Sequence, residues 1–279
     1  MNPVHRSRKD KRWNWHGKVC VITGSSSGIG ARLARDLARL EARVCVVARR
    51  EERLANLLSD MGGATAGHSM FVADVSSRDE VRSLARHVSE SFGRCDVLVN
   101  NAGVGGERRF DADGALDDLH RVMGTNFFGA AFCTGELLEL LVASAPSAVV
   151  NVASIAGRLT LGGASAYCAS KFALVGWSDS LYYELAQKGV HVGVIEPGPL
   201  PTEGFPQRAL INDRLLKYTL TDDAEVSAAI RKMVEHRKPE RTVPRFYYLL
   251  QVPRLLAPPL YRIAQRKVMR RAGRPQGRP

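Results

Sequence analysis

The sequence predicts an α/β protein built on one parallel sheet with helices on both faces. Short β-branched runs alternate with longer helical patterns from Lys18 to about Val243, an order typical of a doubly wound sheet with right-handed crossovers. The runs are predominantly apolar, which indicates strands buried on both faces. With 279 residues, the chain is long enough for one large domain and too short for two ordinary domains with tails.

The elements follow one another in a regular order. Each predicted strand is a short run dominated by Val, Ile, Leu or Met: Val19–Ile22, Val44–Val47, Met70–Val72, Val97–Val99, Ala148–Val152 and Val190–Ile195. The helical patterns between and after them cover Gly28–Leu40, Glu51–Asp60, Arg78–Phe92, Leu116–Ser144, Ser165–Lys188 and Asp222–His236. We expect about seven strands in one catalytic domain over residues 18–245.

Three segments lie outside this alternation. Residues 1–17 form a basic N-terminal tail, and residues 246–279 form a basic, partly apolar C-terminal extension. The connection after the last regular strand is long and rich in proline, and loops of that length are usually lids or binding segments. Residues 199–221 are therefore the predicted substrate flap.

The net charge of +12 is concentrated at the two ends. Residues 1–18 carry six lysines or arginines against one aspartate, and residues 231–279 carry fourteen against two glutamates. A protein that binds nucleic acid through its fold usually carries its charge on a structured face. We therefore expect no nucleic-acid partner, because such tails more often serve solubility or contact with anionic lipid.

Cysteine usage and hydropathy indicate a cytoplasmic protein. The five cysteines form no CxxC pair and lie in apolar or small-residue runs, which predicts buried free thiols and argues against a zinc or disulfide framework; no metal site is expected. The basic start, broken by Pro3, lacks the apolar core of a secretory signal, and no uncharged apolar run reaches about 18 residues.

A glycine-rich loop follows the first predicted strand and opens the first predicted helix. In Thr23–Gly30, three residues separate Gly24 from Gly28, and one separates Gly28 from Gly30. Gly24 permits a tight turn, Gly28 lets the backbone approach a pyrophosphate, and Gly30 lets the helix pack closely. The anion would lie at the helix N-terminus.

One tyrosine is followed by a lysine at helical spacing. Tyr167 and Lys171 are four residues apart and share a helix face, and Ser154 precedes Tyr167 by thirteen residues. An adjacent ammonium favours the ionised phenol and would move its pKa from about 10 toward neutrality. A phenol so tuned donates or accepts a proton. The alternative is a surface lysine one turn from a core tyrosine.

These motifs together resemble the short-chain dehydrogenase/reductase superfamily, over about Lys18 to Arg245. The TGxxxGxG loop is followed in the family's order by Asn100-Asn101-Ala102-Gly103, Asn126, Ser154, the YxxxK pair and Pro197-Gly198. The resemblance implies a single-domain Rossmann-type fold and an oxidoreductase that interconverts a carbonyl and a secondary or primary alcohol. It also implies a homodimer or homotetramer, paired through the two long helices.

The resemblance assigns four catalytic roles. Tyr167 would be the general acid in carbonyl reduction or the base in alcohol oxidation, while Ser154 holds the substrate oxygen. Lys171 would bias the phenol and hold the nicotinamide ribose, and Asn126 would position a water that relays protons from Lys171. The alternatives are a helix-kinking asparagine and a plain strand-end serine.

The resemblance also implies a set of cofactor contacts. Asp74 and Val75 would lie beside the adenine, and Thr202 would bond the carboxamide. The full set is Gly24, Ser26, Ser27, Gly28, Ile29, Gly30, Arg49, Asp74, Val75, Asn101, Ala102, Gly103, Tyr167, Lys171, Pro197, Gly198 and Thr202.

The end of the second strand predicts NADP(H) rather than NAD. An NAD enzyme typically has a carboxylate there for the ribose hydroxyls, whereas this chain has Ala48 followed by Arg49 and Arg50. A guanidinium binds a 2′-phosphate bidentately, and Arg49 is the predicted ligand. Alternatively, both arginines belong to a solvated helix start, the interpretation preferred for Arg50.

The substrate and the extension leave alternatives open. The apolar residues Phe110, Leu159, Leu161, Phe205 and Leu210 favour a lipophilic substrate. The C-terminal extension either packs on the pocket rim or on a partner subunit, or lies in an anionic membrane interface as a peripheral contact. Alternatives to the enzyme are a catalytically silent NADP(H)-binding regulator and a membrane- or nucleic-acid-associated scaffold.

Overall fold

A single seven-stranded parallel sheet organises the molecule. The computed structural model describes residues 13–106, 108–160, 162–201 and 220–272. The strand order is β3-β2-β1-β4-β5-β6-β7, so the winding direction reverses between β1 and β4. The strands are β1 (Val19–Thr23), β2 (Arg43–Ala48), β3 (Ser69–Val72), β4 (Val97–Asn100), β5 (Ser147–Val152), β6 (Val190–Pro197) and β7 (Glu240–Val243). This confirms the Rossmann-type, doubly wound fold.

Helices connect successive strands and cover the sheet. They are α1 (Gly28–Arg39), α2 (Glu51–Asp60), α3 (Arg78–Phe92), α4 (Ala115–Met123), α5 (Gly129–Glu136), α6 (Leu138–Ala143), α7 (Ser165–Ala186), α8 (Asp223–Glu235), α9 (Val252–Leu256) and α10 (Pro258–Ala272). In the part of the chain that the structure describes, 3₁₀ turns lie at Ala64–Ala66, Ile155–Gly157 and Arg245–Gln251.

The helical pattern predicted over Leu116–Ser144 is confirmed in α4, α5 and α6, but these do not form one regular α-helix. After α4 the backbone forms a five-residue π turn over Gly124–Phe128, in which the amide of Gly129 bonds to the carbonyl of Gly124. A Cβ at Gly129 would lie 2.6 Å from Cγ2 of Val75, so the glycine allows the helix to press against the loop after β3. Apolar periodicity alone cannot register such a local widening.

The hydrophobic core lies in layers on the two faces of the sheet. Ile22 packs with Leu33 and Leu37 of α1 on one face, whereas its neighbour Val21 packs with Leu137 on the other. Successive strand side chains point to opposite faces, and both faces are covered. The uninterrupted apolar runs in the sequence follow from this double burial.

β7 was not located from the sequence, because Glu240-Arg241-Thr242-Val243 is short and mostly polar. It pairs in parallel with the end of β6. All five cysteines are buried free thiols, as expected. Within the described ranges, no helix combines the length and apolar character that a membrane crossing requires.

Candidate active site

The glycine loop lies where the strand order reverses. Gly24 has φ +67°, and a Cβ there would lie 2.7 Å from Cα of Ala102. A Cβ at Gly30 would lie 2.6 Å from both Nδ2 of Asn101 and the carbonyl oxygen of Gly24. Asn101 donates from that amide to the carbonyls of Thr23 (2.9 Å) and Gly24 (3.1 Å). The loop is therefore clamped to the segment after β4, and larger side chains do not fit.

The loop leads into the N-terminus of α1, where an anion is favoured. Gly28 has φ +54°, and Ser27 at the N-cap makes no side-chain capping bond. A cavity of about 580 Å³ is lined by Gly28 together with Leu200, Pro201, Leu220, Thr221, Asp222 and Asp223. Ile29 packs against the core beneath the loop. Glycine backbone, open helix start and adjoining cavity fit the diphosphate of a dinucleotide.

The Asn100-Asn101-Ala102-Gly103 segment joins this loop to the interior. Thr23 Oγ1 accepts from the amides of Asn101 and Ala102, both at 3.0 Å. Asn100 pairs in register with Asn151 and donates to its Oδ1 at 2.8 Å. The segment therefore ties β1, β4 and β5 together at the carboxyl edge of the sheet.

Asn126 occupies the π turn and is buried. Its Oδ1 accepts from the amide of Val104 at 2.8 Å, and its Nδ2 donates to the carbonyl of Val104 at 3.0 Å and to Ser170 Oγ at 2.9 Å. Ser170 in turn donates to the carbonyl of Tyr167 at 2.8 Å. Asn126 thus links the loop after β4 to α7 through its side chain.

The structure brings Ser154, Tyr167 and Lys171 together. Val152 pairs with Ile195 across β5 and β6, so Ser154 and Pro197, two residues further along each strand, lie at the same sheet edge. Ser154 hydrogen-bonds with Tyr167, and Lys171 Nζ lies 5.8 Å from the Tyr167 ring centroid.

Two glycines that the sequence reasoning missed, or used differently, allow this convergence. A Cβ at Gly157 would lie 2.7 Å from the carbonyl oxygen of Lys171, so the turn after Ser154 packs directly on α7. A Cβ at Gly103 would lie 3.6 Å from Lys171 Nζ and 3.4 Å from Asn126 Oδ1. A side chain at Gly157 would collide with α7, and one at Gly103 would contact Lys171 and Asn126; these close approaches can be recognised only from the three-dimensional structure.

The expected lowering of the phenol pKa is wrong. Burial raises the pKa of Tyr167, and the hydrogen bond with Ser154 offsets only part of that rise. Burial lowers the pKa of Lys171 to about 8, and its ammonium donates to the carbonyl of Val152 at 2.9 Å. Desolvation of the phenolate outweighs the hydrogen bond with Ser154, so the phenol carries its proton at neutral pH.

The adenine side of the groove contains both arginines that follow β2. Arg49 Nη1 lies 3.4 Å from Asp74 Oδ2. Arg50 donates to Ser26 Oγ at 2.8 Å and to Ser27 Oγ at 3.0 Å. The solvated helix start preferred for Arg50 is confirmed, because Arg50 is the exposed N-cap of α2; its guanidinium also contacts the glycine loop.

Asp74 and Val75, the other residues predicted beside the adenine, differ in their surroundings. Asp74 Oδ1 accepts from both the amide and the hydroxyl of Ser76. Burial alone would raise the pKa of Asp74, but these bonds and the charge of Arg49 hold it below its ordinary value. The side chain of Val75 is buried in the core against Gly129, so only its backbone is available to a ligand.

The end of β6 forms the opposite wall. The amide of Gly198 donates to the carbonyl of Val243 at 2.7 Å, and a Cβ at Gly198 would lie 2.5 Å from the Tyr247 ring. Thr202, and the predicted substrate contacts Leu161, Phe205 and Leu210, lie outside the described residues; of the others, Leu159 is buried and Phe110 is exposed.

A charged cluster packs against the turn over Ile155–Gly157 that follows Ser154, which we call the serine turn. Arg158 Nε donates to Glu196 Oε1 at 2.6 Å, and its Nη2 lies 3.0 Å from Glu240 Oε2. Thr242 Oγ1 donates to the other oxygen of Glu196 at 2.9 Å. Glu196 immediately precedes Pro197, so the cluster couples the turn after Ser154 to the end of β6.

The C-terminal extension packs on the same turn. Arg254 donates to the carbonyl of Arg158, with its guanidinium 4.4 Å from the Phe172 ring centroid. Tyr261 Oη lies 3.2 Å from both the amide and Oγ1 of Thr160. These contacts join the extension to the turn after Ser154, while its leucines are largely exposed.

Comparisons with known proteins agree with this geometry. The family model described as short chain dehydrogenase matches residues 18–210. A 3β-hydroxysteroid dehydrogenase from Mediterraneibacter gnavus is 35% identical over 185 residues, covering 66% of this chain and 67% of the relative. A 3-oxoacyl-[acyl-carrier-protein] reductase from Bos taurus is 32% identical over 206 residues, covering 73% of this chain and 83% of the relative.

A solved structure has the same architecture. A short chain dehydrogenase/reductase from Burkholderia phymatum, crystallised in complex with NAD, superposes with a TM-score of 0.74 at 25% identity, covering 96% of this chain and 99% of that chain. The family match extends over most of the domain that carries the glycine loop, Ser154 and the Tyr167–Lys171 pair. The chain belongs to the short-chain dehydrogenase/reductase family, whose members here are oxidoreductases that act on hydroxyl and carbonyl groups.

Proposed function

We propose that this chain is an NADP(H)-dependent oxidoreductase that interconverts a lipophilic carbonyl compound and its secondary or primary alcohol, with Tyr167 as general acid and base. The observation that carries the proposal is the contact of a protonated, half-buried phenol with Ser154, beside a buried lysine. A protonated phenol is the form that a carbonyl reductase needs at the start of its reaction.

Each side chain has a task in reduction. Ser154 donates a hydrogen bond to the substrate oxygen and stabilises the negative charge that develops on it. Tyr167 transfers its proton to that oxygen, and Lys171 then stabilises the phenolate and supplies a positive charge close to the ring. The nicotinamide, when bound, supplies the hydride. Asn126 holds the loop after β4 and α7 in register through Val104 and Ser170.

The test is a comparison of the wild type with Tyr167→Phe. NADPH binding, followed by fluorescence, should be retained, because the phenol hydroxyl makes one contact among many. NADPH oxidation with a panel of ketones and aldehydes should fall roughly 10²- to 10⁴-fold, the usual contribution of general acid catalysis. If turnover is unchanged, Tyr167 is not the acid; if the wild type binds NADPH without any turnover, the chain is a silent cofactor-binding regulator.

The preference for NADP(H) rests on Arg49 and Arg50. Both follow Ala48, where no carboxylate repels a 2′-phosphate, and Arg50 already contacts two serines of the glycine loop. A guanidinium binds phosphate through two parallel hydrogen bonds. Arg49→Gln should raise the KM for NADPH while leaving the KM for NADH nearly unchanged, and Arg50→Gln should raise the KM for NADPH more than the KM for NADH. Equal effects on both cofactors would refute the preference.

The proposed lipophilic substrate is supported by the walls of the site and by one relative. Leu159 and Tyr247 are buried beside the serine turn and Gly198, and the 35%-identical relative is named for a hydroxysteroid. Another relative, 36% identical, is a D-threitol dehydrogenase from Mycolicibacterium smegmatis. A panel that pairs sterol and long-chain ketones with polyols separates these two classes by kcat/KM.

The proposal extends to assembly and place in the cell. We expect a cytoplasmic homodimer or homotetramer whose C-terminal extension makes peripheral contact with anionic membrane. Exposed apolar residues on α4 and α7, Leu116 and Tyr183, support assembly through these helices. Light scattering coupled to size-exclusion chromatography measures the mass; a monomer at micromolar concentration would refute this part.

A further inference from the structure

The C-terminal extension presents an apolar strip to solvent. Leu249, Leu255, Leu256 and Leu260 are 68%, 76%, 81% and 66% exposed. Single exposed leucines are normal on a protein surface, but several exposed apolar residues within one short segment indicate a surface that binds something. The four leucines come from the turn over Arg245–Gln251, from α9 and from the start of α10, and we call them the apolar strip.

The charged residues in the sequence of the extension are all of one sign. Residues 241–279 contain ten lysines or arginines and no aspartate or glutamate. Within α10, Arg262, Arg266 and Lys267 lie in the turns that follow Leu260 and Ile263, and all five side chains are exposed or partly exposed. Exposed apolar residues in a segment whose charged residues are all basic complement an anionic bilayer, which has hydrocarbon below a negatively charged surface. A nucleic acid would match the cations but leave the leucines in water.

The extension is fastened to the active-site rim at three points. Tyr247 packs on Gly198, Arg254 donates to the carbonyl of Arg158, and Tyr261 meets Thr160 at 3.2 Å. Arg158 and Thr160 lie in the loop that follows Ser154. A surface bound to the apolar strip would therefore lie at a fixed distance from Ser154 and Tyr167.

We propose that the apolar strip seats on an anionic bilayer and so places the substrate entrance of the enzyme at the lipid surface, where a carbonyl compound partitioned into the bilayer is taken up. The docking specifies the membrane contact included in the proposed function, and the uptake of substrate rests on the proposed enzymatic activity. Arginine and lysine side chains steer the protein to the anionic headgroups, and the leucines enter the boundary between headgroups and acyl chains.

The experiment uses the full chain and sedimentation with vesicles. Wild-type protein is mixed with vesicles of phosphatidylcholine alone, or of phosphatidylcholine with 30% phosphatidylserine (roughly the anionic fraction that gives a strongly negative surface). The variants are Leu255→Ser with Leu256→Ser for the apolar contact, and Arg262→Gln with Arg266→Gln for the charge. Val72→Ser is the matched control, because Val72 is also an exposed apolar residue but lies in β3, at the opposite edge of the sheet. Circular dichroism verifies that each variant is folded.

We expect the wild type and Val72→Ser to sediment with the phosphatidylserine vesicles at low salt. The leucine pair should reduce the bound fraction at least about tenfold, and the arginine pair should abolish the preference for phosphatidylserine, because each basic residue near the surface adds to the attraction. Equal sedimentation of wild type and leucine pair would overturn the proposal, as would binding of an acidic protein or RNA without binding of vesicles.

Activity separates this proposal from the proposed function. On a water-soluble ketone, wild type and leucine pair should turn over equally; on a long-chain ketone embedded in phosphatidylserine vesicles, the leucine pair should be at least about tenfold slower. Vesicle binding without oxidation of NADPH on either ketone would refute the enzyme and leave the docking intact. Turnover of both ketones by a protein that does not sediment would refute the docking and leave the enzyme intact.

Discussion

Replacing Arg158 by methionine tests the cluster that braces the serine turn. Arg158 bridges Glu196 and Glu240, at 2.6 Å and 3.0 Å, and Glu196 is fully buried, with 0% of its surface exposed. In Arg158→Met, the carboxylate of Glu196 keeps its hydrogen bond from Thr242 but loses the only cation within 4 Å of it among the described residues. A buried charge deprived of its partner costs about 3–5 kcal/mol.

The loss should be visible in both stability and rate. For a domain of this size, 3–5 kcal/mol lowers Tm by roughly 6–20 °C. The amide of Arg158 bonds to the carbonyl of Ile155, inside the turn that begins at Ser154. A relaxed turn misplaces the serine hydroxyl, and a displacement of about 1 Å costs on the order of 10²-fold in rate. We therefore expect kcat to fall more than the KM for NADPH rises.

The assay is guanidinium unfolding at pH 7 combined with a double-mutant cycle. Glu196→Gln removes the buried charge, so Arg158→Met in that background should cost at least ~1 kcal/mol less than in the wild type, within the usual range of coupling energies. Arg109→Met, in an exposed pair with Asp111, is the control and should have little effect. A loss below ~1 kcal/mol for Arg158→Met, or strict additivity in the cycle, would refute the reasoning.

Three further outcomes follow from the described geometry. Gly30→Ala should destabilise the protein by about 1–3 kcal/mol and weaken NADPH binding, because the new methyl group meets Asn101. The control is Gly176→Ala, which should be neutral or slightly stabilising, because a Cβ added at Gly176 would meet nothing within 4 Å. Guanidinium unfolding distinguishes the two variants. The folded-state pKa of Lys171, about 8, lies below its ordinary 10.5, so the unfolded chain binds more protons between these pH values. The free energy of unfolding should therefore rise with pH in that window by about 3 kcal/mol relative to Lys171→Met. A constant difference between the two proteins from pH 8 to 10.5 would contradict this. Burial raises the pKa of both Cys45 and Cys133 to about 12, so a disulfide reagent should modify these thiols only as fast as the protein unfolds, and modification in the native state at the rate of a free thiol would be evidence against their burial.

Much of the fold could be predicted from local pattern. The strands that are buried on both faces have uninterrupted apolar runs, such as Val19–Ile22, and those runs were assigned correctly. β7 was missed because an edge strand of four residues, three of them polar, carries no such signal. The π turn at Gly124–Phe128 was missed because residues on either side of it are helical, and a local widening leaves no signal in apolar periodicity.

For the candidate site, the order of motifs along the chain could be predicted, but not the balance of forces among them. The spacing of Tyr167 and Lys171 predicted their proximity, and the ring and ammonium do lie together. The pKa of the phenol is raised and not lowered as predicted, because burial depends on what the rest of the chain packs over the site. Arg50 reached the glycine loop because β1 and β2 are neighbours in the sheet.

The amino-acid sequence by itself determined the class of fold, the family and the identity of the chemical groups, because these follow from periodicity and from motifs whose residues are close in the chain. Only the tertiary structure decided which groups meet across long sequence separations: Arg158 with Glu196, Tyr247 with Gly198, and Tyr261 with Thr160. These contacts depend on distances between elements and on exclusion of water, and neither quantity is contained in the local pattern of residues.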